Sequence, residues 1–102
     1  MLALTGDGAL TAPVPPPSLR RSDELGQYEW VVDGRVVSVL GYELRGDAIL
    51  LLHTATEPGE RGRGHATALV GAVLQDVADR GLTTSVRCPF IRGYLQRQPS
   101  PG

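Results

Sequence analysis

The sequence predicts an α/β domain, with α+β character at its start, in which antiparallel strands lead into a βαβ unit and a short closing helix. Three observations carry that class. The dipeptide Asp33-Gly34 sits between two alternating apolar runs, which is a hairpin signal. Residues Ala48 to Thr56 form a run that is apolar on both parities, the composition of a central strand covered on both faces. After Gly64 the period changes to that of a helix, with Ala66, Leu69, Val70, Val73, Leu74 and Val77 making one stripe.

Taken in order, residues 1–22 are rich in Gly, Ala and Pro, show no period that would bury a face, and are expected to be a flexible tail. The domain is expected over 23–99, with 100–102 as a second short tail. Its first strand spans Gln27 to Val32, with Tyr28, Trp30 and Val32 on one parity, and its second runs from Arg35 to about Leu44. The turn Arg45-Gly46-Asp47 leads into the central strand, which Pro58 and Gly59 end. The helix that follows stops at Gly81. Leu82 to Cys88 is a further strand, parallel to the central one because a helix connects them. Pro89 ends it, and Phe90 to Gln98 make a short last helix whose Phe90 and Tyr94 cover the sheet.

Length and charge narrow the classes. A chain of 102 residues allows one modest core. The net charge of −1 offers no basic stripe for nucleic acid. No apolar run reaches the roughly 18 residues that span a bilayer. The opening Met1-Leu2-Ala3-Leu4 lacks a charged leader, so a cytoplasmic location is expected. A single cysteine, Cys88, forbids an internal disulfide, and two histidines with it are too scattered for a metal site.

The segment Glu57-Pro58-Gly59-Glu60-Arg61-Gly62-Arg63-Gly64-His65-Ala66 carries the chemistry. It opens the amphipathic helix without a Ser, Thr, Asp or Asn to accept hydrogen bonds from the first amides. Arg61 and Arg63 there oppose the helix dipole unless an anion joins them. Free amides, approachable glycines and two guanidinium groups together describe a phosphate cradle. Gly59 and Gly64 have the spacing of a Walker loop, but His65-Ala66 stands where Lys and Ser or Thr are needed. Gly62 and Gly64 are followed by Thr67, so the dinucleotide fingerprint fails as well.

What remains, Arg61-x-x-Gly64-x-Ala66, resembles the Arg/Gln-x-x-Gly-x-Gly/Ala loop of the GNAT N-acetyltransferase superfamily. Together with Tyr28 to Gly34, His53-Thr54-x-x-x-Pro58, Cys88-Pro89-Phe90, Tyr94-Leu95 and Pro99, it is similar to the short single-domain GNAT-like acetyltransferases. Two departures stand out, Gln98 where such proteins tend to carry His, and the ending Ser100-Pro101-Gly102. The resemblance implies a splayed parallel strand pair, acetyl-CoA as cofactor, and direct transfer of acetyl to an amine acceptor of unnamed identity. It also implies that Thr54, Ala55 and Thr56 pair with pantetheine, while Arg61, Gly62, Arg63, Gly64, His65 and Ala66 hold the pyrophosphate.

Individual residues keep two readings. His53 is either the base that deprotonates the amine or a packed core histidine. Cys88 is either a nucleophile, as its counterpart in the short family implies, or a small buried hydrophobe. Tyr94 matches a tyrosine that protonates the leaving thiolate in many GNAT proteins, against a core aromatic whose hydroxyl reaches water. His65 either touches phosphate or is a solvated first-turn residue. At the level of the whole chain, the alternatives are a non-catalytic acyl-CoA-binding or sensing module and a structural protein whose basic loop takes any anion. Pairing with a second copy through the Trp30 hairpin or an open sheet edge is left undecided.

Overall fold

The structure, a computed structural model, describes residues 15–97; expectations placed on Gln98, Pro99, the short tail at 100–102 and the first fourteen residues lie outside that range. Five strands and two helices follow one another as β1 (Ser18–Ser22), β2 (Gln27–Val32), β3 (Arg35–Arg45), β4 (Ala48–Thr56), a 3-10 turn (Pro58–Glu60), α1 (His65–Asp79), β5 (Thr83–Val86) and α2 (Pro89–Arg97). The sheet order is β1-β2-β3-β4-β5. Pairing is antiparallel as far as β4 and parallel between β4 and β5, so α1 is the crossover of a βαβ unit, as expected.

Local chemistry sets the joints. Asp33 and Gly34 both take positive φ, 53° and 76°, the requirement of a two-residue type I′ hairpin. At the end of α1, Gly81 has φ 68°, its amide bonds Ala78 O at 3.0 Å, and the amide of Leu82 bonds Val77 O at 3.1 Å. That pair of bonds is a Schellman cap, which a glycine at this position permits.

The first correction concerns the N-terminal tail. Ser18–Ser22 is a strand, paired from Ser18 opposite Val31 to Ser22 opposite Gln27. Its polar composition hid it, because an edge strand needs backbone partners more than an apolar period. Leu19 packs against the core beside Trp30, and Arg20 Nε donates to Glu29 Oε1 at 2.6 Å.

The second correction concerns β4, expected to be covered on both faces. Both helices lie on one face, where Tyr28, Leu40, Tyr42, Ile49 and Leu51 meet Leu69, Val70, Val73, Val77 and Ile91 in a single core. On the other face His53 and Ala55 are exposed. A bulge between Gly41 and Tyr42 leaves Leu52 as the extra residue, so Leu51 stays in the core while His53 turns to the open face.

Candidate active site

The sheet opens where β5 ends. β4 and β5 pair only from Ala48 opposite Thr83 to Leu51 opposite Val86, and the last bond joins the Arg87 amide to Leu51 O at 2.9 Å. Beyond it β4 continues alone on that side to Thr56. The Glu57 amide bonds Val37 O at 2.9 Å, and in an antiparallel ladder alternate residues turn the same way. Ala55 and His53 therefore address β3, whereas Thr54 and Thr56 turn their backbone amides and carbonyls to the open edge. Of the expected trio, Ala55 is thus the one whose backbone is already engaged; its carbonyl also accepts from Ser38 Oγ at 3.0 Å.

At the end of this edge lies a cavity of about 210 Å³ lined by Thr56, Glu60, Arg61, Gly62, Gly64, His65, Ala66, Thr67 and Phe90. Gly62 and Gly64 hold φ of 78° and 82°, and a Cβ on either would meet nothing within 4 Å. Gly64 caps α1 without any side-chain hydrogen bond. The first intrahelical bond belongs to Ala68, whose amide reaches Gly64 O at 3.0 Å, so the amides before it are free to bind an anion.

One residue of this loop was not recognised in the sequence. Glu60 folds back into the basic cluster: Oε2 accepts from Arg35 at 2.9 Å, and Oε1 lies 3.2 Å from His65 Nε2 and 3.8 Å from Arg63. The Arg35 bond, more than any other contact, holds the Glu60 carboxyl below its ordinary value. Part of the counter-charge expected from a ligand is therefore internal, while Arg61 has no ion pair among the described residues. The signal was an acid placed five residues before His65, one turn ahead of the helix.

The three candidate catalytic side chains are not gathered at one point. His53 lies on the open face with its ring over Gly41, where an added Cβ would come within 2.5 Å of Nε2. Its exposure removes the packed-core reading. Cys88 is buried on the helix face, 4% exposed, with Sγ 3.8 Å from Thr54 Oγ1 at the mouth of the splay. Tyr94 turns toward α1, its hydroxyl 3.0 Å from where a Cβ on Gly71 would stand. Among the described residues no cluster of His, Cys, Asp and Glu could hold a metal ion, and no helix is long and apolar enough to cross a membrane.

A five-stranded mixed sheet that splays beside an uncapped, arginine-bearing helix start defines a GNAT-like fold. The family profile described as GCN5-related N-acetyl-transferase matches residues 27–101, and the chain belongs to that family. Among curated proteins it is similar to Protein NATD1 of Gallus gallus and of Mus musculus, each 37% identical over 65 residues, 63% of this chain. The matched part spans 59% of the length of those relatives. Among solved structures, the ribosomal-protein-alanine N-acetyltransferase from Brucella melitensis biovar Abortus 2308 shares the fold with a TM-score of 0.57 at 20% identity, covering 74% of this chain and 62% of that one.

Proposed function

We propose that the chain binds acetyl-CoA along the open edge of β4 and transfers the acetyl group to an amine. The observation that supports this most directly is continuity: the unpaired edge at Thr54 and Thr56 runs into the same cavity that the bare amides of His65 to Thr67 and the guanidinium of Arg61 face. The residues fit the cofactor's chemistry. A diphosphate needs amide donors and a cation without steric cover, and Gly62 and Gly64 leave that space open. A pantetheine arm carries amides that complete a strand edge.

When bound, acetyl-CoA supplies an activated thioester. Thr54 and Thr56 align the arm, and Arg61, Gly62, Arg63, Gly64, His65 and Ala66 fix the diphosphate at the α1 start. His53, on the open face beside the splay, takes the proton that the attacking amine sheds. Cys88 lines the thioester path next to Thr54.

Isothermal calorimetry with coenzyme A, and free-thiol release from acetyl-CoA in the presence of an amine panel, test the two halves separately. Arg61→Ala is expected to weaken coenzyme A binding about tenfold or more, the worth of one charge-assisted hydrogen bond. Gly64→Asp, which sets a carboxylate against the diphosphate, is expected to abolish binding while the circular dichroism spectrum is retained. Unchanged affinity in both variants would overturn the cradle. Saturable binding without thiol release above background would instead favour the non-catalytic acyl-CoA-binding module.

A further inference from the structure

The open face of the sheet carries a second concavity, away from the cradle. It measures about 360 Å³ and is lined by Arg45, Leu50, Ser85, Arg87 and Arg92, with the backbone of β4 and β5 as its floor. The pleat explains the grouping. Ile49 and Leu51 enter the core, so Leu50 between them faces the other way; Ser85 pairs with Leu50, and Arg45 pairs with Ala48, on that same face. Arg87 follows Ser85 at the same parity, with Cys88 turned into the core behind it.

The charges of this hollow are poorly balanced from within. The Arg87 side chain makes no hydrogen bond or ion pair among the described residues, its backbone amide alone being engaged with Leu51 O. Arg92 reaches round the edge of β5 and donates from Nε and NH2 to Val86 O at 3.2 and 3.1 Å, without a carboxylate partner among the described residues. Among the described residues Arg45 has only an exposed pair with Glu43 at 3.2 Å. Exposed pairs of that kind are weak and exchange readily for a better anion. Three guanidinium groups around one hollow, with Leu50 and a serine hydroxyl at its base, make a receptor for a small organic anion.

Position supplies the function. Extending the parallel register from Leu51 opposite Val86 sets Arg87 beside Leu52, at the mouth of the splay. His53 stands on the same open face, on the order of 10 Å along β4 from Leu50. We infer that this hollow is the acceptor subsite, and that the acceptor is a small amine carrying a carboxylate or phosphate, its anion held by Arg87, Arg92 and Arg45 and its nitrogen presented to the splay beside His53. The inference rests on the transferase reading above and names its substrate class. In the transfer itself the amine nitrogen forms a bond to the acetyl carbon, the carbon–sulfur bond breaks with its electron pair leaving on the coenzyme A thiolate, and the amine's proton passes to His53.

Two probe pairs test it: 4-aminobutyrate against its carboxamide, which lacks the carboxylate charge, and phosphoethanolamine against ethanolamine, each as acceptor with acetyl-CoA. The expected result is a kcat/KM at least tenfold higher for the anionic member of one pair, carried mainly by KM, with the ratio falling toward one in Arg87→Gln and partly restored in Arg87→Lys. The pair that shows the preference distinguishes carboxylate from phosphate. Transfer to all four amines without preference would overturn the subsite and leave the transferase reading standing. A binding arm covers the case of no turnover: the Arg87 side-chain NMR signal is expected to shift on titration with 4-aminobutyrate or phosphoethanolamine and not with the two amines that lack the anionic group. An Arg87 signal that stays still with both anionic probes would overturn the inference whatever coenzyme A does.

Discussion

Gly41 is where the backbone makes room for His53. The two residues face each other across β3 and β4, and any side chain at Gly41 would occupy the volume of the imidazole. The ring is the far end of an exposed side chain, so it can swing away without disturbing the core. Gly41→Ala is therefore expected to keep the fold and the affinity for coenzyme A while lowering acetyl transfer roughly tenfold, a fraction of the 10²–10⁴ that a positioned base contributes. His53→Gln is expected to lower acetyl transfer by about 10²–10⁴ with coenzyme A affinity unchanged, and a rate equal to the parent's in both variants would exclude His53 as the base. The pairing could not be read from the chain, since it depends on a bulge that shifts β4 by one residue against β3. His53 itself was legible, as was the cradle, because both are composition at fixed spacing. Glu60 was missed for the opposite reason: its partners Arg35 and His65 are brought to it by the fold.

At the scale of elements, period and punctuation were enough for β2, β3, β4, α1, β5 and α2, each within two residues of its expected ends. They were not enough for the layers. A two-parity apolar run says that a strand is central but not that both sides are covered, and here α1 and α2 share one face. Their contact is specific. Gly71, inside α1, is the point at which Tyr94 of α2 lays its hydroxyl. A glycine within a helix costs about 1 kcal/mol relative to alanine, so its presence is explained by the tyrosine it accommodates. A double-mutant cycle followed by urea unfolding checks this. Gly71→Ala is expected to be neutral or destabilising in the parent, where the methyl meets the hydroxyl, and stabilising by up to about 1 kcal/mol in Tyr94→Phe. Equal effects in the two backgrounds would show that Tyr94 does not reach α1.

Across the whole molecule, the end of α1 remote from the cradle is fastened while the cradle end stays open. Tyr28 donates its hydroxyl to Asp76 Oδ2 at 2.7 Å and accepts from Arg80 at 3.0 Å, tying β2 to the last turns of α1; Tyr42, its ring tilted by 51° against that of Tyr28 with centroids 5.1 Å apart, donates to Asp23. Burial, and then the carboxylate that each phenol faces, pushes Tyr28 up to about 12 and Tyr42 higher than its ordinary value of 10. A folded value raised above the unfolded one means that the neutral phenol contributes stability in full below pH 10, and that this contribution is lost as pH rises through the folded values. The chain has three tyrosines. Phenolate absorbance is therefore expected to fall short of three residues' worth while the fold persists, with the remainder, from Tyr28 and Tyr42, appearing only well above pH 10 together with loss of the near-ultraviolet dichroism. Tyr28→Phe is expected to lower stability by about 1 kcal/mol at neutral pH, because Asp76 loses its shortest hydrogen bond, and to remove part of the late step. Three phenols titrating together near 10 in a still-folded protein would show that this clamp is open. The consequence would reach the site, since α1 could then no longer hold its bare amides in line with the open edge of β4.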